Sequence, residues 1–131
     1  MALKKETLTK AQKAELENLR SFIVRRGLSP VMTGADWRSA INAVMAITDY
    51  TGMYRYRGVR DLSDPPATAW LGPLPAGLPL FNFIEWLELS PKQAGTPDFS
   101  ASIKQALTAV KIAYSETATG IRILGYRRNK A

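Results

Sequence analysis

Between residues 61 and 82 the chain carries Pro65, Pro66, Pro73, Pro75 and Pro79 together with Gly72 and Gly77. Each proline removes a backbone donor and fixes φ, so this stretch sustains neither a regular helix nor a central strand. Loops this long inside a small domain are uncommon and often functional, which makes 61–82 a candidate contact surface. It is not read as a linker, because neither flank is large enough alone to bury a good core.

Before the loop the pattern is helical. Over 7–26, Thr9 followed by Gln12 has the form of a capping box, Leu16, Leu19 and Ile23 recur at helical spacing, and Gly27 suits a helix stop. This basic segment is either an appended arm or part of the fold. A second helix is expected over 34–48, with Thr33 as N-cap, Asp36 in the first turn and Trp37, Ile41, Val44 and Met45 on one face. From Met53 the period becomes two: Tyr54 and Tyr56 alternate with Arg55 and Arg57, and Gly58 is a possible bulge.

After the loop, FIEWLEL at 83–89 is the strongest strand signal, apolar on both parities. A helix is expected over 99–110, then a hairpin of 111–115 and 121–126 with its turn at 117–120. The order ααββαββ implies one α+β domain over 1–131, an antiparallel sheet of about four strands with helices packed against it. Trp37 and Trp86 are expected in the core.

The 131 residues include no histidine and no cysteine. That removes the usual proton carrier near neutral pH, the usual zinc ligands, disulfides and thiol nucleophiles. Neither GxxxxGK[ST], GxGxxG, SxxK nor a DxDxDG-like loop occurs. Glu85 and Glu88 are three apart, of opposite parity, and so are expected on opposite strand faces, which makes no acid/base pair. Glu85 needs a partner, and Arg55 or Arg57 on another strand is the candidate for a buried ion pair. The expectation is a protein that is not an enzyme and uses no cofactor or metal.

The net charge of +7 suits nucleic acid, an anionic surface or an acidic protein. Apolar stretches fall short of the roughly 20 residues that span a bilayer, and no basic-then-apolar leader opens the chain, so a cytoplasmic protein without a membrane partner is expected. Tyr54, Arg55, Arg57 and Arg60 combine aromatic and cationic groups, while Trp70 and Leu71 offer apolar anchors within the loop. These six residues are the candidate partner-binding set. The competing reading, and the one the residues favour, is that Trp70 and Leu71, with Leu74, Leu78 and Leu80, fold back to cap the core.

FIEWLEL at 83–89, TATGIRILGY at 117–126 and the Asp36, Trp37, Arg38 run resemble a family of small uncharacterised bacterial proteins. Its members show an IEWLEI strand, a final TGFRIYGY-like strand and a KWR helix start. The resemblance covers about 35–126. Leu124 stands where that family tends to have an aromatic, and the proline-rich loop is longer. The resemblance implies a compact α+β fold and no known reaction. By analogy of class it suggests an immunity or antitoxin protein that occludes a bacterial toxin with an acidic surface. The alternative from the residues is a basic nucleic-acid-binding module.

Overall fold

The computed structural model describes residues 9–59 and 70–128. In chain order it holds α1 (Lys10–Arg25), β1 (Leu28–Pro30), α2 (Gly34–Met45), β2 (Tyr54–Gly58), a 3-10 turn (Phe81–Phe83), β3 (Ile84–Leu89), α3 (Ser100–Ala109), β4 (Ser115–Glu116), β5 (Ile121–Leu124) and β6 (Tyr126–Arg128). The fold is α+β: a four-stranded antiparallel sheet in the order β2-β3-β5-β4, with a small antiparallel pair β1-β6 beside it.

The expected capping box of α1 forms, and α2, for which only an N-cap at Thr33 was expected, has one too. Thr9 Oγ1 accepts the Gln12 N–H at 3.1 Å while Gln12 Oε1 accepts the Thr9 N–H at 2.9 Å, and Thr33 and Asp36 make the same exchange. Such a box satisfies two donors that a helix start leaves open. Gly27, at φ 65°, ends α1 as anticipated. The second helix stops at Met45 rather than 48, and Asp49 in the left-handed region turns the chain away.

The hairpin is where expectation and structure part. Residues 111–114 form no strand, because Lys111 at φ 61° closes α3 instead. Its N–H reaches the Thr108 carbonyl at 3.0 Å and the Ile112 N–H reaches that of Leu107 at 2.9 Å. This is a Schellman closure with lysine where glycine is usual. The expected strand 121–126 is broken at Gly125, which hands the chain from β5 to β6. β1, with a proline at its end and three residues in length, escaped the sequence reading.

One face of the sheet carries the main core. Tyr54, Leu87, Leu89, Ile121 and Ile123 meet Trp37, Ile41 and Val44 of α2 and Ile103 and Leu107 of α3. The described part of the proline-rich loop folds back on it: Leu74 and Phe81 are buried, Leu78 packs beside them, and Phe81 stacks on Trp37 at 6.1 Å. A second, smaller core joins Leu19 of α1 to Leu28, Val59 and Tyr126. The N-terminal helix therefore packs on the domain rather than projecting from it. No helix among the described residues is long and apolar enough to cross a membrane.

A Cβ at Gly120 would overlap the Leu89 carbonyl oxygen, and one at Gly125 that of Ile84 with the Trp37 ring beside it. Backbone cannot yield as a side-chain tip does. Gly120→Ala and Gly125→Ala are each expected to cost about 2–3 kcal/mol in urea denaturation. Gly34→Ala, at the first position of α2 with only the Arg38 side chain near, is expected to be neutral or slightly stabilising.

Candidate functional site

The register of β3 assembles the site. Arg55 lies opposite Glu88 and Arg57 opposite Trp86, while from the other side Arg122 faces Glu88 and Leu124 faces Trp86. Opposed residues of an antiparallel pair share a face. All of these therefore project from the side of the sheet turned away from α2 and α3.

Glu85 joins them against expectation. Pairing slips between Arg57 and Gly58, since Arg57 faces Trp86 but Gly58 faces Ile84. Glu85 is left unmatched, and a residue left over in this way changes side relative to strict alternation. Its carboxylate is 3.3 Å from Arg57 Nε, 3.1 Å from Arg128 Nε and 3.9 Å from an Arg26 terminal nitrogen. Arg26 at the end of α1 also donates to the Val59 carbonyl. The pairing of Glu85 with Arg57 matches the expected ion pair, while that of Glu88 with Arg55 was not anticipated; the opposite-face placement of the two glutamates does not hold.

Glu88 has no solvent-accessible side-chain surface. Arg55 Nε donates to its Oε1 at 2.7 Å, Thr119 Oγ1 donates to the same oxygen at 3.0 Å, and Thr117 Oγ1 donates to Oε2 at 2.6 Å. A terminal nitrogen of Arg122 stands 3.5 Å from Oε2. Burial pushes the Glu88 carboxyl upward, but the bonds from Thr117, Arg55 and Thr119 and the Arg55 charge outweigh it and hold it below the ordinary carboxylate value. The threonines arrive from the turn that joins β4 to β5, closed by Thr117 N–H on the Gly120 carbonyl at 2.8 Å.

The two arginines beside Glu88 also stack on indoles. The Arg55 guanidinium is 4.6 Å from the Trp70 ring centre, and that of Arg122 is 3.9 Å from Trp86. Contacts of this kind contribute about 0.5–2 kcal/mol according to how far they are desolvated. Trp86 is buried by this lid of arginine on the outer face, whereas Trp37 lies inside the main core.

The six sequence-derived contact residues thus separate. Arg55, Trp70 and Leu71 come together at the β2 edge, where Leu71 is 41% exposed and exchanges two backbone hydrogen bonds with Tyr54. Tyr54 is a correction: its ring is wholly buried and its hydroxyl donates to the Ala76 carbonyl at 2.6 Å. Burial, with Tyr56 alongside, raises its pKa and keeps it protonated. Arg57 is likewise buried, against Glu85, and offers no free surface to a partner. Arg60 lies outside the described residues. Thr117, Thr119, Arg122, Arg26 and Arg128 were missed, and only the Thr-Ala-Thr spacing ahead of Gly120 carried a signal, since it sets two hydroxyls on one side of a turn.

Glu88, met by cations and hydroxyls, holds its charge and is a weak proton acceptor near neutral pH. Because the folded Glu88 pKa is depressed, its stabilisation is present above the ordinary glutamate value of the unfolded chain and is lost as pH falls through the folded one. Glu88→Ala is expected to cost about 3 kcal/mol at pH 7, as it strands buried partners. Denaturant titrations across acidic pH should show a weaker acid dependence in Glu88→Gln than in the native chain.

The model of a family of unknown function, DUF6678, matches residues 19–130. No curated protein and no solved structure matches the chain.

Proposed function

We propose that this chain, which belongs to the DUF6678 family of unknown function, works by binding and covering an acidic protein partner. The observation that carries the reading is the β2 edge. There Trp70, stacked on Arg55, adjoins the exposed Leu71, so an apolar anchor and a cation share one patch. Aromatic and arginine anchors of this kind dominate protein interfaces. The net charge of +7 would steer an acidic surface toward it.

The saturation of Glu85 and Glu88 supports a non-catalytic role, because neither is placed to exchange protons with a substrate. The partner we infer is a bacterial toxin with an acidic cleft, neutralised in the cytoplasm in the manner of immunity proteins. A basic inhibitor suits a target that is not a nuclease, since a nuclease channel is itself basic. The nucleic-acid reading draws less support: Arg57, one of its main cations, is buried against Glu85.

Immobilised protein is expected to retain one discrete partner from its native cells as salt rises from about 0.1 to 0.5 M, since an apolar centre resists screening. The folded Trp70→Ala, Leu71→Asp double variant should lose that partner. Equal retention by both proteins would reject the β2 edge. Binding to labelled RNA or DNA that collapses over the same salt range would favour the nucleic-acid module instead.

A further inference from the structure

A groove opens where β4 parts from β5. β4 covers β5 only opposite Ile121 and Arg122, because Lys111 closes α3 and residues 111–114 form no strand. The space left is about 400 Å3, within the range of small-molecule sites. Val31, Ile112 and Leu124 give it apolar walls, and Val31 and Leu124 are 45% and 42% exposed.

Its charged groups are mostly cations, with the polar Tyr114 and Ser115 beside them. Lys111, Arg122 and Arg127 line it, with Asp36 the one acid. Asp36 is already committed, its carboxylate accepting the Thr33 N–H at 2.9 Å. Among the described residues Lys111 and Arg127 take part in no ion pair. Arg122 has a buried Nε with no hydrogen-bond acceptor, and its contact with Glu88 is long at 3.5 Å. A buried donor without an acceptor is unfavourable, and a guanidinium edge matches the planar fork of a carboxylate. Lysine is also held at position 111 in a left-handed conformation that glycine would adopt without strain.

We propose that this groove binds a small organic acid, its carboxylate met by Arg122, Lys111 and Arg127 and its apolar body laid against Val31, Ile112 and Leu124. Inorganic phosphate would satisfy the cations yet leave the apolar walls wet. A neutral compound of the same shape would leave the cations and the Arg122 Nε unmet. The site is independent of the partner surface, because Trp70 and Leu71 lie beyond β2, at the other edge of the sheet.

The test is an amide-shift titration of the 15N-labelled full chain with 3-phenylpropionate, 3-phenylpropan-1-ol and inorganic phosphate. The acid should bind saturably, moving resonances of 111–115, 122–127 and the Trp86 indole. The alcohol and phosphate should each bind at least about tenfold more weakly. Lys111→Gly separates the site from the fold, since it should raise the urea midpoint while weakening the acid several-fold. Arg127→Gln, at an exposed position, should weaken it similarly. The proposal is overturned if the alcohol or phosphate binds as well as the acid, or if the shifts fall elsewhere. It is also overturned if both variants bind the acid unchanged, or if a glutamate-rich peptide binds there and the free acid does not.

Discussion

A carboxylate with no access to water sits in the middle of the sheet, and the outer face is arranged around it. An isolated buried charge would cost several kcal/mol, so Glu88 is tolerable only with its partners in place. They come from three separate pieces of chain: Arg55 from β2, Thr117 and Thr119 from the turn after β4, and Arg122 from β5. One side chain thereby fixes the order and register of the strands on either side of β3. A slip of one residue would place the Arg55 guanidinium in the main core and Tyr54 outside it.

The same arrangement relocates the charge. Arg26, Arg57 and Arg128 gather on Glu85, and Arg55 and Arg122 on Glu88. Five guanidinium groups against two carboxylates leave a positive surplus on one half-covered face. Arginine suits this placement, because its flat group pairs with a carboxylate edge and lies over an indole at once. The basic character of the chain is therefore partly architectural, and the alternation of tyrosine and arginine in β2 reflects a dry side and a paired side.

Much of this was legible in the residues. The Thr9 capping box, the Thr33 N-cap, the all-buried β3, the helical faces of α2 and α3 and the pairing of Glu85 with an arginine follow from local pattern and from the need of a buried charge for a counterion. What escaped has a common cause, which is close approach in three dimensions. Nothing local marks Gly125 as the place where a strand changes sheet; the Ile84 carbonyl and the Trp37 ring decide that. Lysine at position 111 carries no sign of left-handed geometry. A single unmatched residue opposite the step from Arg57 to Gly58 leaves the alternation of FIEWLEL looking regular, yet it brings Glu85 round to the arginines. Trp86 read as core from its apolarity, and it is buried, but under a guanidinium rather than among aliphatic side chains.

The hand-over at Gly125 has a thermodynamic corollary. The lesser core has four buried residues, Leu19, Leu28, Val59 and Tyr126, too few to persist alone. Tyr126 follows Gly125 directly, and the Gly125 N–H is tied to the Glu85 carbonyl at 2.8 Å. Val59 is likewise joined to Phe83 at 2.8 Å just ahead of β3. Fraying of the N-terminal helix past Leu19 would therefore expose Tyr126 and Val59 at the very points where the larger core begins. The two hydrophobic clusters are built to melt together, as one cooperative unit.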